Sequence, residues 1–238
     1  ATENTKYDAR CLIFFSDGAH LHLDNLYNAH GVRLVKDIEG GGATPDTPDT
    51  PDTPTEPEEP TNPSAGIGTF SVSADKQVTF SQGNLQYHPA NDEWRFAENQ
   101  TDYIGENNSN ISDTYNGWID LFGWGTGDAP TKSSTSYSDY STFVDWGTNQ
   151  IGSDAPNTWR TLSKDEWMYI FYNRPNAQSL FALGSVNGVS GTIILPDNWT
   201  TPDGVSFVAS TTQGLYWDGS YYYNSNDNNF SHNTYTAE

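Results

Sequence analysis

The sequence predicts an α+β fold made mostly of short antiparallel strands and long ordered loops, with one or two helices. Three observations lead there. Aromatic residues make up 14% of the chain, with 8 Trp and 14 Tyr, against a hydrophobic total of only 34%. Ring packing, rather than aliphatic bulk, must therefore carry much of the core. Short alternating runs bounded by polar turns recur along the chain, which is the pattern of hairpins. The best helix carries a capping-box start, Ser163-Lys-Asp-Glu166.

Taken in order, the first residues already read as strands. Cys11-Leu12-Ile13-Phe14-Phe15 is an apolar run of strand length, and Ala19-His20-Leu21-His22-Leu23 alternates. Asn28-Ala-His-Gly31 then turns into a strand over Val32-Arg33-Leu34-Val35. Residues 1–39 thus look like the closing strands of a β-rich domain. Gly40-Gly41-Gly42 opens a linker, residues 40–66, in which a Thr-Pro-Asp tract passes into Glu56-Pro57-Glu58-Glu59-Pro60. Proline at every third position favours polyproline II, and acidic repulsion extends it. Some 20 such residues reach ~60 Å, the width of a domain or more. That length serves equally to join two domains or to carry residues 1–37 around a single one.

The main body is expected over residues 67–238. Phe70-Ser-Val72-Ser-Ala74 and Val78-Thr79-Phe80 form a first hairpin pattern, and Leu85-Gln-Tyr87 with Trp94-Arg-Phe96 a second. Residues 99–158 are rich in Asn, Ser, Thr, Gly and Asp and read as long loops pinned by buried rings at Trp118, Phe122, Trp124 and Trp146. A loop region of that length is usually functional or metal-bound. A helix is expected from Ser163 to Arg174, with a capping box at its start and Pro175 at its end. Trp167, Ile170 and Phe171 make its buried stripe. Thr192-Ile-Ile-Leu195 reads as a buried strand and Val205-Ser-Phe207-Val208 as a short one. Thr234-Tyr-Thr-Ala-Glu238 looks like the opening of another.

Thr236-Ala237-Glu238 is similar to Ala1-Thr2-Glu3, so the two ends read as one interrupted segment. The expectation is that residues 1–37 complete the fold, either in cis as in a permuted chain or in trans on a neighbouring copy. With neither an initiator Met nor a leader at its start, the chain is expected to be a processed or trimmed form.

Charge and cysteine usage narrow the function. The formal net charge is −21, and the sequence pI is about 4.2 with a mean hydropathy of −0.71. Nucleic acid is excluded as a partner, because phosphate binding needs clustered Lys and Arg. Anionic membrane surfaces are disfavoured by the same sign, and no apolar run is long enough to span a bilayer. Cys11 is the only cysteine, so no internal disulfide forms.

The motifs resemble a known family. Trp159-Arg160-Thr161-Leu162-Ser163-Lys164-Asp165-Glu166-Trp167 is similar to the Trp-Arg-Leu-Pro-Thr-x-x-Glu-Trp signature of C-type-lectin-like domains in the formylglycine-generating-enzyme branch. Phe80-Ser81-Gln82-Gly83-Asn84-Leu85-Gln86-Tyr87, Gly117-Trp118-Ile119-Asp120-Leu121-Phe122-Gly123-Trp124-Gly125 and Ile194-Leu195-Pro196-Asp197-Asn198-Trp199 resemble a subgroup found in surface proteins of gut anaerobes. Val32-Arg33-Leu34-Val35 matches that subgroup's final strand. The resemblance covers about residues 68–238 plus 5–37. It implies a C-type-lectin-like fold and a place outside the cell or on a bacterial surface.

The same fold carries the variable proteins of diversity-generating retroelements, whose diversified positions lie late in the domain and favour Tyr, Asn, Ser, Asp and His. By that resemblance the candidate ligand-binding residues are, toward the C-terminus, Tyr221, Tyr222, Tyr223, Asn224, Asn226, Asp227, Phe230 and His232. Toward the N-terminus they are Tyr7, Arg10, His20, His22, Tyr27 and His30. Tyr offers large contact area at low entropy cost, while Ser, Asn and Gly adapt hydrogen bonds, which is the mix of antibody paratopes. Ordinary polar loops would share this composition.

Enzymatic readings find less support. The formylglycine-generating oxidase needs a pair of redox-active cysteines, and this chain has one. His20 and His22 share a strand face and could chelate a metal, but the sequence marks no third ligand. No phosphate loop, serine elbow or spaced carboxylate pair appears. No cofactor is expected. A structural calcium is the metal best accommodated, at Glu106-Asn107-Asn108-Ser109-Asn110 or Asn226-Asp227-Asn228-Asn229. The expected function is non-catalytic binding of a protein or glycan. The alternative is a structural repeat or spacer in a surface array, exchanging strands with its neighbour.

Overall fold

The computed structural model describes residues 2–3, 8–15, 18–25, 30–38, 67–104, 117–213, 215–217, 222–224 and 230–236, with side chains for 30–38, 67–104, 117–211 and 230–236. The architecture is mixed α+β, with short and mostly antiparallel strands. The linker, residues 40–66, lies outside the described residues.

Strands β1 (Thr2–Glu3), β2 (Asp8–Phe15) and β3 (Gly18–Asn25) form an antiparallel sheet in that order. The apolar run at 11–15 and the alternating run at 19–23 thus become one hairpin. Next come β4 (His30–Gly31) and β5 (Val35–Asp37), followed beyond the linker by β6 (Ile67–Ser71) and β7 (Gln77–Phe80). The predicted second hairpin is β8 (Leu85–His88) with β9 (Glu93–Phe96). A short β10 (Leu121–Phe122) pairs with β4.

Strand β7 is the centre of a three-stranded sheet, with β6 on one side and β5 on the other. Residues 30–38 are therefore stitched into the body of the same chain. Val35 exchanges both backbone hydrogen bonds with Arg160, at 2.9 and 2.8 Å, on the side away from β7. Ser81 and Leu85 donate their N–H groups to the carbonyls of Leu34 and Val32. The half-buried Arg33 guanidinium donates to Ser81 O, Asn84 Oδ1 and Gln100 O, and burial lowers its pKa to about 10.

The side chains of this segment fill the core. Val32 and Leu34 lie in a cluster with Leu85, Tyr87, Trp94, Ile119, Phe122, Trp146, Ile151 and Trp159. Val35 lies in the adjoining cluster with Phe70, Val72, Val78, Phe80, Leu162 and Ile170. The expected ring packing is plain: Trp94 stacks on Phe122 at 5.6 Å, and Phe96 meets Trp159 edge-on at 4.9 Å. Phe122, Trp124 and Trp146 are buried as expected. Trp118 is only half-buried, because its ring is covered by the Arg95 guanidinium 3.8 Å from its centroid rather than by core.

The loop that precedes the helix is pinned by one carboxylate. Asp145 Oδ1 accepts from Gly147 N at 2.8 Å, and Oδ2 accepts from Thr161 N at 2.9 Å. The approach is so close that a Cβ on Gly147 would sit 1.8 Å from the Trp159 carbonyl oxygen, so only glycine fits there.

The capping box forms as predicted: Ser163 Oγ accepts from Glu166 N, and Glu166 Oε2 accepts from Ser163 N. The helix differs from expectation in its second half. Helix α1 spans Lys164–Met168, and residues Tyr169–Asn173 continue as one π turn. The cause is Arg174. Its Nε donates to Ile170 O, the carbonyl its own N–H would take in an α-helix, and that N–H reaches Tyr169 O instead. Pro175 then ends the run.

Strand β11 (Phe181–Val186) was not signalled by alternation, because its first four residues are all buried. It pairs with β12 (Val189–Ile194), which is exposed at its start and half-buried at 191–194, not the buried strand expected. The stretch 205–208, expected as a strand, is irregular; Val208 is held through its N–H and C=O by the side chain of Asn233. Helix α2 (Ser210–Gln213) leads to the hairpin of β13 (Leu215–Trp217) and β14 (Tyr222–Asn224). Last, β15 (Thr234–Tyr235) pairs parallel with β11.

A charge network ties β5 to α1. Arg160 Nη1 and Nη2 donate to both oxygens of Glu166, at 2.9 and 2.7 Å, and Nη2 also reaches Asp37 Oδ1 at 2.7 Å. Burial opposes ionisation of both carboxyls, yet Arg160 outweighs it and holds both below their usual range. A carboxyl with a depressed folded pKa stabilises the fold above its unfolded pKa and loses that contribution as pH falls through the folded one. Arg160→Gln is therefore expected to cost about 1–2 kcal/mol at pH 7, discounted for the exposure of Asp37. The gap between variant and wild type should close as pH drops below about 4, as read by paired urea unfolding curves. A gap that does not change with pH would disprove the linkage.

Candidate functional site

The two stretches that the sequence singles out as a ligand face meet in space. Strand β3, with His20 and His22, runs beside β14, with Tyr222, Tyr223 and Asn224. On its other side the hairpin continues through β2, which lies next to β12. The result is a run of neighbouring strands, β11–β12, β2–β3 and β14–β13, assembled from both ends of the chain.

Register fixes each position. Tyr222, Tyr223 and Asn224 stand opposite Trp217, Tyr216 and Leu215. His20 stands opposite Ile13, His22 opposite Cys11, and Arg10 opposite Leu23. His30 is half-buried on β4, across from Phe122. His232 is exposed on a single 3-10 turn, Phe230–His232. Phe230 on that turn is half-buried and packs against the cluster of Phe171, Phe181 and Leu183, so its ring has an inward contact. Tyr7, Tyr27, Tyr221, Asn226 and Asp227 lie outside the described residues, as do both calcium candidates, 106–110 and 226–229.

The buried polar anchor of the C-terminal part is Asn233. It is 1% exposed and all its hydrogen-bonding capacity is used internally. Its Nδ2 donates to Leu183 O at 2.9 Å and Val208 O at 3.0 Å, and its Oδ1 accepts from Val208 N at 2.8 Å and Tyr235 Oη at 3.1 Å. Tyr235 Oη also reaches Ser206 O at 2.5 Å, and burial raises its pKa. Gly184 makes room for this anchor, since a Cβ there would lie 2.6 Å from Asn233 O. Asn233 and Tyr235 therefore fix β11, the irregular stretch 205–208 and β15 to one another. A lone Asn inside a run of Asn, Ser and Asp carries no local signal of such a role.

Sequence reasoning also missed exposed rings elsewhere. Tyr172, Trp199 and Tyr103 are 54%, 40% and 66% exposed. Among the residues whose side chains are described, no three His, Cys, Asp or Glu group as a metal cage, and no helix is long and apolar enough to cross a membrane.

No family model, no curated protein and no solved structure matches this chain.

Proposed function

We propose that this chain is a non-catalytic ligand-binding module, adhesin-like or receptor-like, of a secreted or surface-anchored bacterial protein with a C-type-lectin-like fold. Its ligand is a protein or a glycan, taken up by the face where β3 and β14 run side by side. The observation that carries this reading is that neighbourhood. Two stretches with paratope-like composition, some 200 residues apart in sequence, lie on adjacent strands. In the same reading residues 30–38 complete the domain of their own chain, which the pairing of β4 with β10 and of β5 with β7 supports.

The test is a glycan array and a surface-protein pull-down with the intact chain, repeated with Tyr222→Ala and Tyr223→Ala made separately, because adjacent strand residues face opposite sides. The variant that removes the ring on the binding face is expected to weaken a captured ligand by roughly tenfold or more, with an unchanged thermal midpoint. Equal retention by all three proteins would reject this face as the binding surface.

A further inference from the structure

We propose that the outer face of the β8–β9 hairpin holds a further binding site, for the carboxylate of an acidic sugar of the uronic-acid type, with Arg95 as its anchor. Leu85, Tyr87, Trp94 and Phe96 pack into the core, so strand alternation puts Gln86, His88, Glu93 and Arg95 on the opposite face. Trp118 lies over that face. Its ring centroid is 3.8 Å from the Arg95 guanidinium and 5.0 Å from the His88 ring, which meets it edge-on. Arg95 Nε donates to Gln86 Oε1 at 2.9 Å, and Gln86 is itself buried. Stacking on the indole and this bond at its base hold the guanidinium in place, while Arg95 as a whole stays exposed.

The outer end of the guanidinium is unused. The chain carries 31 Asp and Glu against 10 Lys and Arg. Among the arginines with described side chains, Arg160 and Arg174 sit in ion pairs, and Arg33 donates to Ser81 O, Asn84 Oδ1 and Gln100 O. Arg95 differs from all three. Among the described residues no carboxylate lies within ion-pair distance of it and nothing accepts from its Nη groups, although Glu93 shares its face. His88 Nδ1 is likewise buried with no hydrogen-bond partner among the described residues. Buried polar atoms are rarely left unpaired, and the exceptions mark places where a further partner belongs.

Geometry and charge select the ligand. A planar guanidinium with both Nη groups open pairs with a carboxylate through two parallel hydrogen bonds. The net charge of −21 works against polyanions and acidic peptides. Screening over ~8 Å at physiological salt leaves a single carboxylate to feel mainly the cation beside it. A sugar with one carboxylate on a neutral, hydroxyl-rich ring meets both conditions, and the half-buried Trp118 offers apolar surface to its C–H face. The site is built from other strands than the β3–β14 face, and neither proposal depends on the other.

The experiment follows the nitrogen–proton correlation spectrum of the full chain during titration with methyl β-glucuronide, and with methyl β-glucoside as its neutral counterpart. The Arg95 Nε–H signal, identified by its loss in Arg95→Lys, is expected to shift and saturate with the glucuronide. The glucoside should bind at least roughly tenfold more weakly, because it lacks the charge-assisted pair. Arg95→Lys keeps the charge but loses the planar fork. It should weaken the glucuronide by a similar factor, read from the Trp118 indole signal, at an unchanged thermal midpoint. Acetate and N-acetylglutamate amide should each bind more weakly than the glucuronide. An Arg95 signal that does not move, equal affinity for the two glycosides, or full retention of binding in Arg95→Lys would overturn the proposal. Tighter binding of acetate or of the glutamate derivative would overturn its assignment to a sugar. Should Arg95→Lys fail to fold, the two glycosides compared on the unaltered chain decide the matter.

Discussion

Asp197→Ala is expected to destabilise the protein by about 3–5 kcal/mol, because it strands a buried cation. The Arg174 side chain is 0% exposed, and among the described residues its carboxylate partner is Asp197, at 3.0 Å. Its other hydrogen bonds go to the carbonyls of Ile170 and Leu180. Burial pulls the guanidinium pKa down, and Asp197 offsets this only in part. The second oxygen of Asp197 accepts from both the N–H and the Oγ of Ser71, each at 2.7 Å, so the same carboxylate also ties β6 to the turn after β12. Removing it leaves a charge and a backbone donor unpaired at once. The double replacement Asp197→Leu/Arg174→Met should recover most of the loss, since a buried ion pair is often replaceable by apolar side chains. Urea unfolding would show this as a shift of midpoint at constant slope. A loss below 1 kcal/mol for Asp197→Ala would mean that the pair is solvated.

Leu34→Ala is expected to cost about 3 kcal/mol, within the 2–5 kcal/mol span of such core truncations. Leu34 is 0% exposed and sits among the rings of the first cluster, so little can collapse into the void. Its carbonyl is fixed by Ser81 N at 2.9 Å, and its neighbours Val32 and Val35 serve two different clusters. Lys36→Ala, at a half-buried position whose ammonium lies 5.9 Å from the Trp159 ring, should cost less than about 1 kcal/mol. The contrast matters for function, because residues 30–38 lead directly from the β2–β3 hairpin. A segment merely resting on the body would give equal, small losses at both positions.

Much of the fold is legible in the sequence where the signal is local. The hairpins β6–β7 and β8–β9 alternate and turn on polar residues, and the capping box at Ser163 needs only four consecutive residues. Legibility ends where the deciding partner is distant. The π turn at 169–173 follows from an arginine side chain that takes a helix carbonyl and then reaches Asp197. Residues 205–208 have the composition of a strand, but Val208 bonds to the Asn233 side chain, Ser206 O to Tyr235 Oη and Val205 N to Pro202 O instead of a ladder. Strand β11 is apolar on both faces at Phe181–Gly184, and a short apolar run without alternation does not distinguish strand from helix.

The candidate site divides in the same way. The resemblance to diversified positions, rich in Tyr, His, Asn and Asp, is what marked 7–30 and 221–232 as alike. Their meeting across β3 and β14, and the opposition of Cys11 and His22, depend on topology and register, which no window of sequence contains. Asn233 and Phe230 sit within the same polar run yet point their chemistry inward, and only burial separates them from their neighbours.

Everything proposed for the face rests on residues 30–38 closing the domain of their own chain, and a designed crosslink tests this directly. Lys36 and Thr79 are cross-strand partners between β5 and β7. Such partners have Cα atoms about 4.5–5.5 Å apart, within the range a disulfide spans. The protein Cys11→Ser/Lys36→Cys/Thr79→Cys would be oxidised at about 10 µM, far below the millimolar effective concentration of a tethered segment. Cis closure predicts a monomer, by mass, that has lost two hydrogens and retains the native thermal midpoint. A disulfide-linked dimer or larger species, or two free thiols in a folded protein, would contradict it.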